Sequence, residues 1–174
     1  EKFGYLTNDA ITPNGKLLSK IYGETDLLIA EMIRRESFGQ LTPAELVSIV
    51  SVFLHESRKE SPPKLPRGQV EDVLSDLIKT WVEINDLETE LGLEPIREPD
   101  AGFCWASYRW ASGHALSSIL RGTDLTVGDF VRSMKQIIDL LRQIAIASPH
   151  LSPITSEALA RIDRGVIAYA GAVV

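Results

Sequence analysis

The sequence predicts an all-α protein, a compact bundle of about seven to eight helices behind an irregular or short extended N-terminal entry. Three observations predict it. Apolar residues recur at helical spacing in eight successive segments, and no segment sustains the period-two alternation of a strand. Helix caps, glycines and prolines punctuate the segments at short intervals. The 174 residues are 44% hydrophobic and 24% charged, proportions that exclude disordered, collagenous and low-complexity classes. At this length the reading is a single helical domain spanning residues 1–174, able to bury roughly 70% of its unfolded surface without disulfide or metal.

The elements follow in order. Residues 3–12 form the entry, with Asn8-Asp9 and Pro13-Asn14 as turn formers. Leu17, Leu18, Ile21 and Tyr22 share one face of a short helix expected to stop at Gly23. Thr25 or Asp26 caps a second helix, apolar nearly all round from Leu27 to Ile33, which places it in contact with neighbours on several sides. Thr42-Pro43-Ala44-Glu45 is a capping box with proline at the first helical position, opening a third helix through Leu54. Residues 57–66 carry three prolines among charges and read as an exposed loop. From Val70 to Leu91 the apolar steps of three and four describe a helix of about six turns, stopped by Gly92 and Pro95. An aromatic helix starts at Pro99 and ends at Gly113, and a short one runs from about Ala115 to Arg121, closed by Gly122. Thr126 caps a long helix ending before Pro149, and Ser152-Pro153 opens a last one containing Leu159, Ile162, Val166, Ile167 and Tyr169.

Charge and chemistry narrow the function classes. The formal charge is −6, but residues 1–100 carry 11 basic and 19 acidic side chains whereas residues 101–174 carry 7 and 5. A polyanion would be met by the C-terminal part, unless the asymmetry is simple scatter. The longest uncharged stretch, Gln143 to Ser156, contains two prolines, so no membrane span is expected. No basic-then-apolar leader is visible, the lone Cys104 fits a cytoplasmic protein, and the start at Glu1 suggests a fragment of something longer. No catalytic residues are assigned. Asn14-Gly15-Lys16-Leu17 lacks the second glycine and the hydroxyl of a phosphate loop, and no nucleophile elbow is present. No metal ligands are assigned either, because His55, His114 and His150 are scattered without metal-binding spacing.

Two clusters remain as candidate sites. Phe103, Trp105, Tyr108 and Trp110 lie in one helix, either as core or as a platform on which bases stack, with Arg109 between the rings and Trp110 as secondary stacking candidates. The helix after Thr126 is the second. Phe130, Met134, Ile137, Leu141 and Ile144 fall within roughly 80° of one another as its buried stripe. The opposite arc holds Arg132, Lys135, Gln136, Asp139, Arg142 and Gln143. Three cations and two amides there suit a phosphate backbone or base edges, or else form a solvated face.

The order of the segments adds a resemblance. Tyr22-Gly23-Glu24-Thr25-Asp26-Leu27-Leu28, Leu41-Thr42-Pro43-Ala44-Glu45-Leu46-Val47, Tyr108-Arg109-Trp110-Ala111-Ser112-Gly113 and Asp124-Leu125-Thr126-Val127-Gly128-Asp129-Phe130-Val131-Arg132 together resemble the C-terminal DSHCT domain of superfamily II RNA helicases. The flavour is that of the HelY-like helicases of actinobacteria, cousins of the exosome-type eukaryotic enzymes. The resemblance implies a helical bundle on the RecA-like motor domains of the same polypeptide, lining the path of single-stranded RNA. ATP and Mg2+ would then be held by the parent protein's motor domains, with no cofactor in this fragment, which is expected to be monomeric and no enzyme by itself. It further implies that the helix beginning at Thr126 is the ratchet helix that contacts the threaded strand. A family Arg that faces RNA falls on Gln136, and a family Glu falls on Asp139; Arg132 and Lys135 stand nearby to supply the missing charge. Two other readings compete. One is a protein-docking helical module, marked by exposed apolar surface on the first helices. The other is a helix-turn-helix DNA binder formed by residues 116–137.

Overall fold

Every residue of the helix Pro43–Val52 from Ala44 onward is buried, so this short element is the hub around which the others pack. The computed structural model describes residues 2–21, 23–57, 62–121 and 123–171. In chain order they form β1 (Leu6–Thr7), β2 (Ala10–Ile11), α1 (Pro13–Leu18), α2 (Asp26–Arg34), α3 (Pro43–Val52), α4 (Val70–Glu90), α5 (Cys104–Ala111), α6 (Leu116–Leu120), α7 (Val127–Ala147), α8 (Ser152–Ile162) and α9 (Val166–Gly171). Single 3-10 turns, Ala101–Phe103 and Pro149–Leu151, lead into α5 and α8.

α3 packs against α4, α5, α7 and α8, while α7 packs against α8 and α9. Small residues let α3 and α5 approach closely. Ser48 Oγ donates to the Cys104 carbonyl at 3.0 Å, and Ser51 Oγ and Ser107 Oγ return to carbonyls of their own helices at 2.6 and 3.1 Å. One continuous apolar cluster results, reaching from Tyr5 to Ile167.

The expected all-α class holds, with refinements at several boundaries. The entry is a two-residue antiparallel hairpin, Leu6 opposite Ile11 and Thr7 opposite Ala10. Asn8 and Asp9 both take positive φ, 48° and 63°, the geometry of the turn that matches strand twist. Helix α1 ends at Leu18 rather than at Gly23, because the backbone turns at Ser19-Lys20; Ile21 is still buried, and Tyr22 lies outside the described residues. Gly15 sits in the first turn of α1, where a Cβ would come 2.5 Å from the Tyr5 carbonyl oxygen, so this glycine serves hairpin packing. The capping box at Thr42 forms as expected, Glu45 N–H donating to Thr42 Oγ1 at 3.3 Å and Thr42 N–H to Glu45 Oε2 at 2.8 Å. In the loop 57–66, Ser57 and Pro62 to Lys64 are exposed but Leu65 is half-buried and Pro66 buried; residues 58–61 lie outside the described residues. The aromatic helix begins later than Pro99, since Asp100 caps it by accepting from the Gly102 N–H at 2.7 Å. Gly122, expected to close α6, is likewise outside the described residues.

The single last helix of the sequence reading is two. Residues 163–165 break it, with Gly165 at φ 51°. The Ile162 carbonyl accepts from Trp110 Nε1 at 2.9 Å and from the Arg164 N–H at 2.9 Å, which diverts it from helix continuation. Among the described residues no helix is long and apolar enough to cross a membrane.

Candidate nucleic-acid interface

Helix α7 begins where Thr126 Oγ1 accepts the Asp129 N–H at 3.0 Å and donates to the Asp129 carboxylate at 2.8 Å. Its stripe of Phe130, Met134, Ile137, Leu141 and Ile144 is buried in the core as the periodicity required. The arc opposite is polar: Arg132, Gln136, Asp139 and Arg142 are exposed, Lys135 and Gln143 half-buried.

Two depressions follow one flank of this helix and meet at Leu54, beyond the end of α3. The smaller, about 360 Å³, lies along the second half of α7, lined by Gln136, Asp139 and Gln143 and faced by Glu24, Thr25 and Arg97. The larger, about 860 Å³, lies at the first half, lined by Asp129, Arg132 and Ser133 and faced by Lys64, Trp105 and Arg109. At about 100° per residue these α7 positions fall within an arc of roughly 120°. The groove therefore takes in Arg132, Gln136 and Asp139 and leaves out Lys135 and Arg142. Arg142 instead pairs with Asp139 at 3.6 Å, both side chains well exposed. Helical spacing alone had grouped all five, because it does not say which shoulder of the polar arc meets neighbouring elements.

The aromatic cluster divides. Trp110 is no stacking platform: it is 3% exposed, edge-on to Phe130 at 5.4 Å, and covered by the Arg164 guanidinium 3.7 Å above its ring. Its buried indole N–H is satisfied by donating to the Ile162 carbonyl across the bundle. Arg109 reaches away from the rings, donating to the Ser118 carbonyl at 3.0 Å and to Ser118 Oγ at 3.3 Å, and borders the larger depression. Trp105 remains half-exposed, with Tyr108 stacked at 6.0 Å and Lys64 Nζ 4.3 Å from its ring centroid. Lys64, Arg97 and Arg121 were not singled out by sequence reasoning; they come from loops and helix ends, where no periodicity marks them.

Other ionisable groups nearby are structural in character. Arg97 donates to the Phe53 carbonyl at 3.0 Å and lies 3.8 Å from Glu56, holding the chain after α4 against the end of α3. The His55 ring stacks on Phe103 at 5.3 Å, and burial pushes its imidazole down, so it adds no charge to the groove at neutral pH. Burial also pushes the Cys104 thiol up to about 11, which keeps it protonated and unreactive.

A helical bundle with one long amphipathic helix beside a groove is shared by many proteins, and comparison with known sequences decides among them. The model of the DSHCT (NUC185) domain matches residues 8–170. The chain belongs to the DSHCT family. It is 34% identical over 180 residues to a probable helicase HelY of Mycobacterium tuberculosis, covering 95% of this chain and 20% of that protein. It is 25% identical over 181 residues to the exosome RNA helicase MTR4 of Homo sapiens, covering 95% and 17%. A DExH-box ATP-dependent RNA helicase of Arabidopsis thaliana is 24% identical over 179 residues. The chain thus spans about a fifth of the length of these relatives. In this DSHCT domain, α6 has five residues and α7 packs against α3, α8 and α9.

Proposed function

We propose that this DSHCT domain is the accessory helical domain of a cytoplasmic ATP-dependent RNA helicase, guiding single-stranded RNA along the groove flank of α7. The observation that carries the reading is the line of Arg132, Gln136 and Asp139 along that groove, on a helix whose other face is core. By the resemblance, Gln136 stands where the family has an RNA-facing Arg, and Asp139 where it has a Glu. An amide there offers hydrogen bonds to phosphates or base edges without a fixed charge, and Arg132, one turn earlier, supplies the charge. The strand is thereby held loosely, which suits a track along which RNA must slide. Lys135 and Arg142 strengthen the field at a distance without entering the groove.

ATP and Mg2+ belong to the RecA-like motor domains of the parent protein, and this chain performs no chemistry of its own. A docking role accompanies the grip. Leu6 and Ile11, paired across the hairpin, are 41% and 62% exposed, and Leu91 and Leu93 at the end of α4 are 66% and 57% exposed. These apolar residues give the motor domains a surface to cover.

The test uses the whole protein. Replacing Arg132 and Gln136 together by Ala removes one charge-assisted and one neutral hydrogen bond, so RNA-stimulated unwinding should fall at least about tenfold. Basal ATP turnover without RNA should persist. Unwinding at the parent rate by the folded double variant would leave α7 an ordinary solvated surface.

A further inference from the structure

Several basic side chains of this domain are neutralised where they stand. Arg34 and Arg35 pair with Glu31, Arg97 with Glu56, Arg142 with Asp139, and Arg161 with Glu157. Four cations outside these pairs share the larger depression. Lys64, Arg109, Arg121 and Arg132 line it, and none forms an ion pair with a carboxylate among the described residues. Carboxylates share the same walls: Glu56 lies 3.8 Å from Arg97, Asp129 accepts from the Thr126 hydroxyl at 2.8 Å, and Asp124 also has a partner. Four cations against three carboxylates, one of them already paired with Arg97, leave this concave surface a positive excess that favours an anionic ligand.

The same depression holds an accessible aromatic face. Trp105 is half-exposed on a helix whose other tryptophan is buried, and its ring is covered by the flexible Lys64 ammonium at 4.3 Å. A surface cation over a half-buried indole is held more weakly than a base stacked on it, so a nucleobase can displace it. The displaced ammonium then has a phosphate to pair with. Arg109 is already held by Ser118, using two of its five N–H donors and leaving the rest of its fork for phosphate oxygens. Stacking surface beside unpaired cations is the composition of a single-strand binding platform.

We propose that the cleft between α5, α6 and the first half of α7 is a second RNA seat. One base stacks on Trp105 in place of Lys64, and flanking phosphates meet Arg109, Arg121 and Arg132. The inference rests on the RNA reading above and deepens it, making the larger of the two depressions along α7 a site that retains a nucleotide by stacking. It carries no base preference, because every base offers a π face.

Binding of a fluorescent single-stranded oligouridylate of about twelve nucleotides to the chain tests it, with the salt dependence followed for each variant. Trp105→Ala should weaken binding by between about 5-fold and 150-fold, the range that stacking of one base spans, and leave the salt slope unchanged. Trp105→Phe should recover most of the loss while keeping the fold. Arg121→Gln and Arg132→Gln should each flatten the slope of log affinity against log salt by about 0.7. Binding by Trp105→Ala within twofold of the parent overturns the proposal. So does an oligoglutamate peptide that binds the cleft more tightly than RNA, which would make it a dock for an acidic protein segment. If Gln136→Ala weakens binding while the Trp105 variants do not, this seat fails and the groove reading survives. Absence of any oligouridylate binding defeats both.

Discussion

The Glu31 carboxylate is fully buried in the middle of α2, where Tyr5 Oη donates to it at 2.6 Å, Arg34 Nη2 at 2.7 Å and Arg35 Nε at 3.3 Å. Arg35 continues to Thr80 at 3.2 Å and to Glu83 at 2.6 Å, so one carboxylate ties the hairpin, α2 and α4 together. Burial alone would raise its pKa, but the bonds from Arg34, Tyr5 and Arg35 outweigh it and hold the carboxyl below its ordinary value. A folded-state pKa below the unfolded one, about 4.3, contributes stability that is present above that value. It is lost as pH falls through the folded pKa. Thermal melts across acid pH should therefore show the parent losing stability faster than Glu31→Gln below about pH 4.3, although the variant is the less stable of the two at neutral pH. Parallel profiles would mean that Glu31 does not govern acid unfolding. Leu141, buried on the core face of α7, gives the contrasting case: Leu141→Ala should cost roughly 2 to 5 kcal/mol through a cavity, read by urea unfolding.

At the scale of elements, Glu45 governs two helix starts. Its Oε2 completes the capping box of α3, and its Oε1 accepts the Gln69 N–H at 3.2 Å just before α4. Gly68, at φ 114°, brings the backbone so close to this carboxylate that no side chain fits between them. Thr42→Ala should cost about 1 kcal/mol, the worth of a cap. Glu45→Ala should cost more, about 2 to 3 kcal/mol, because the Gln69 N–H also loses its partner. Urea unfolding monitored by circular dichroism ranks the two, and the reverse order would show the two helices to be capped independently. The helix starts at Thr42 and Thr126 were legible because caps are local: a hydroxyl or carboxylate three residues from the amide it binds. The break between α8 and α9 was not. Leu159, Ile162, Val166 and Ile167 keep helical spacing across it, and the diversion of the Ile162 carbonyl comes from Trp110, 52 residues away.

At the scale of the whole molecule, the groove gathers side chains from across the chain onto one flank of α7, and α7 contributes few of the cations. Replacing Arg132, Lys135 and Arg142 together by Ala should leave stability within about 0.5 kcal/mol, since none is a core residue. If the α7 groove carries the grip, Arg132→Ala alone should account for most of the loss of RNA-stimulated unwinding in that triple variant. Equal contributions from Lys135 and Arg142 would mean that the long-range field matters more than groove contacts. The isolated chain should neither bind ATP tightly nor hydrolyse it, as equilibrium binding and phosphate release would show. Gly15, the nearest thing to a phosphate-loop glycine, is in the first turn of α1 against Tyr5.

The sequence by itself determined the helical class, the helix starts at Thr42 and Thr126 and the core stripe of α7. Each depends on residues within two or three turns of one another, and a 3.6-residue period or a cap expresses that directly. It also carried the family, through the order of short segments. Tertiary structure alone decided which shoulder of the α7 polar arc borders the groove, that Trp110 is core while Trp105 stays half-exposed, and that Lys64 lies over the Trp105 ring. Those outcomes depend on contacts such as Trp110 with Ile162, Arg97 with Phe53 and Lys64 with Trp105, between residues 41 or more positions apart. A local pattern records the face that a residue occupies, whereas the neighbour that covers that face is fixed only when the bundle closes.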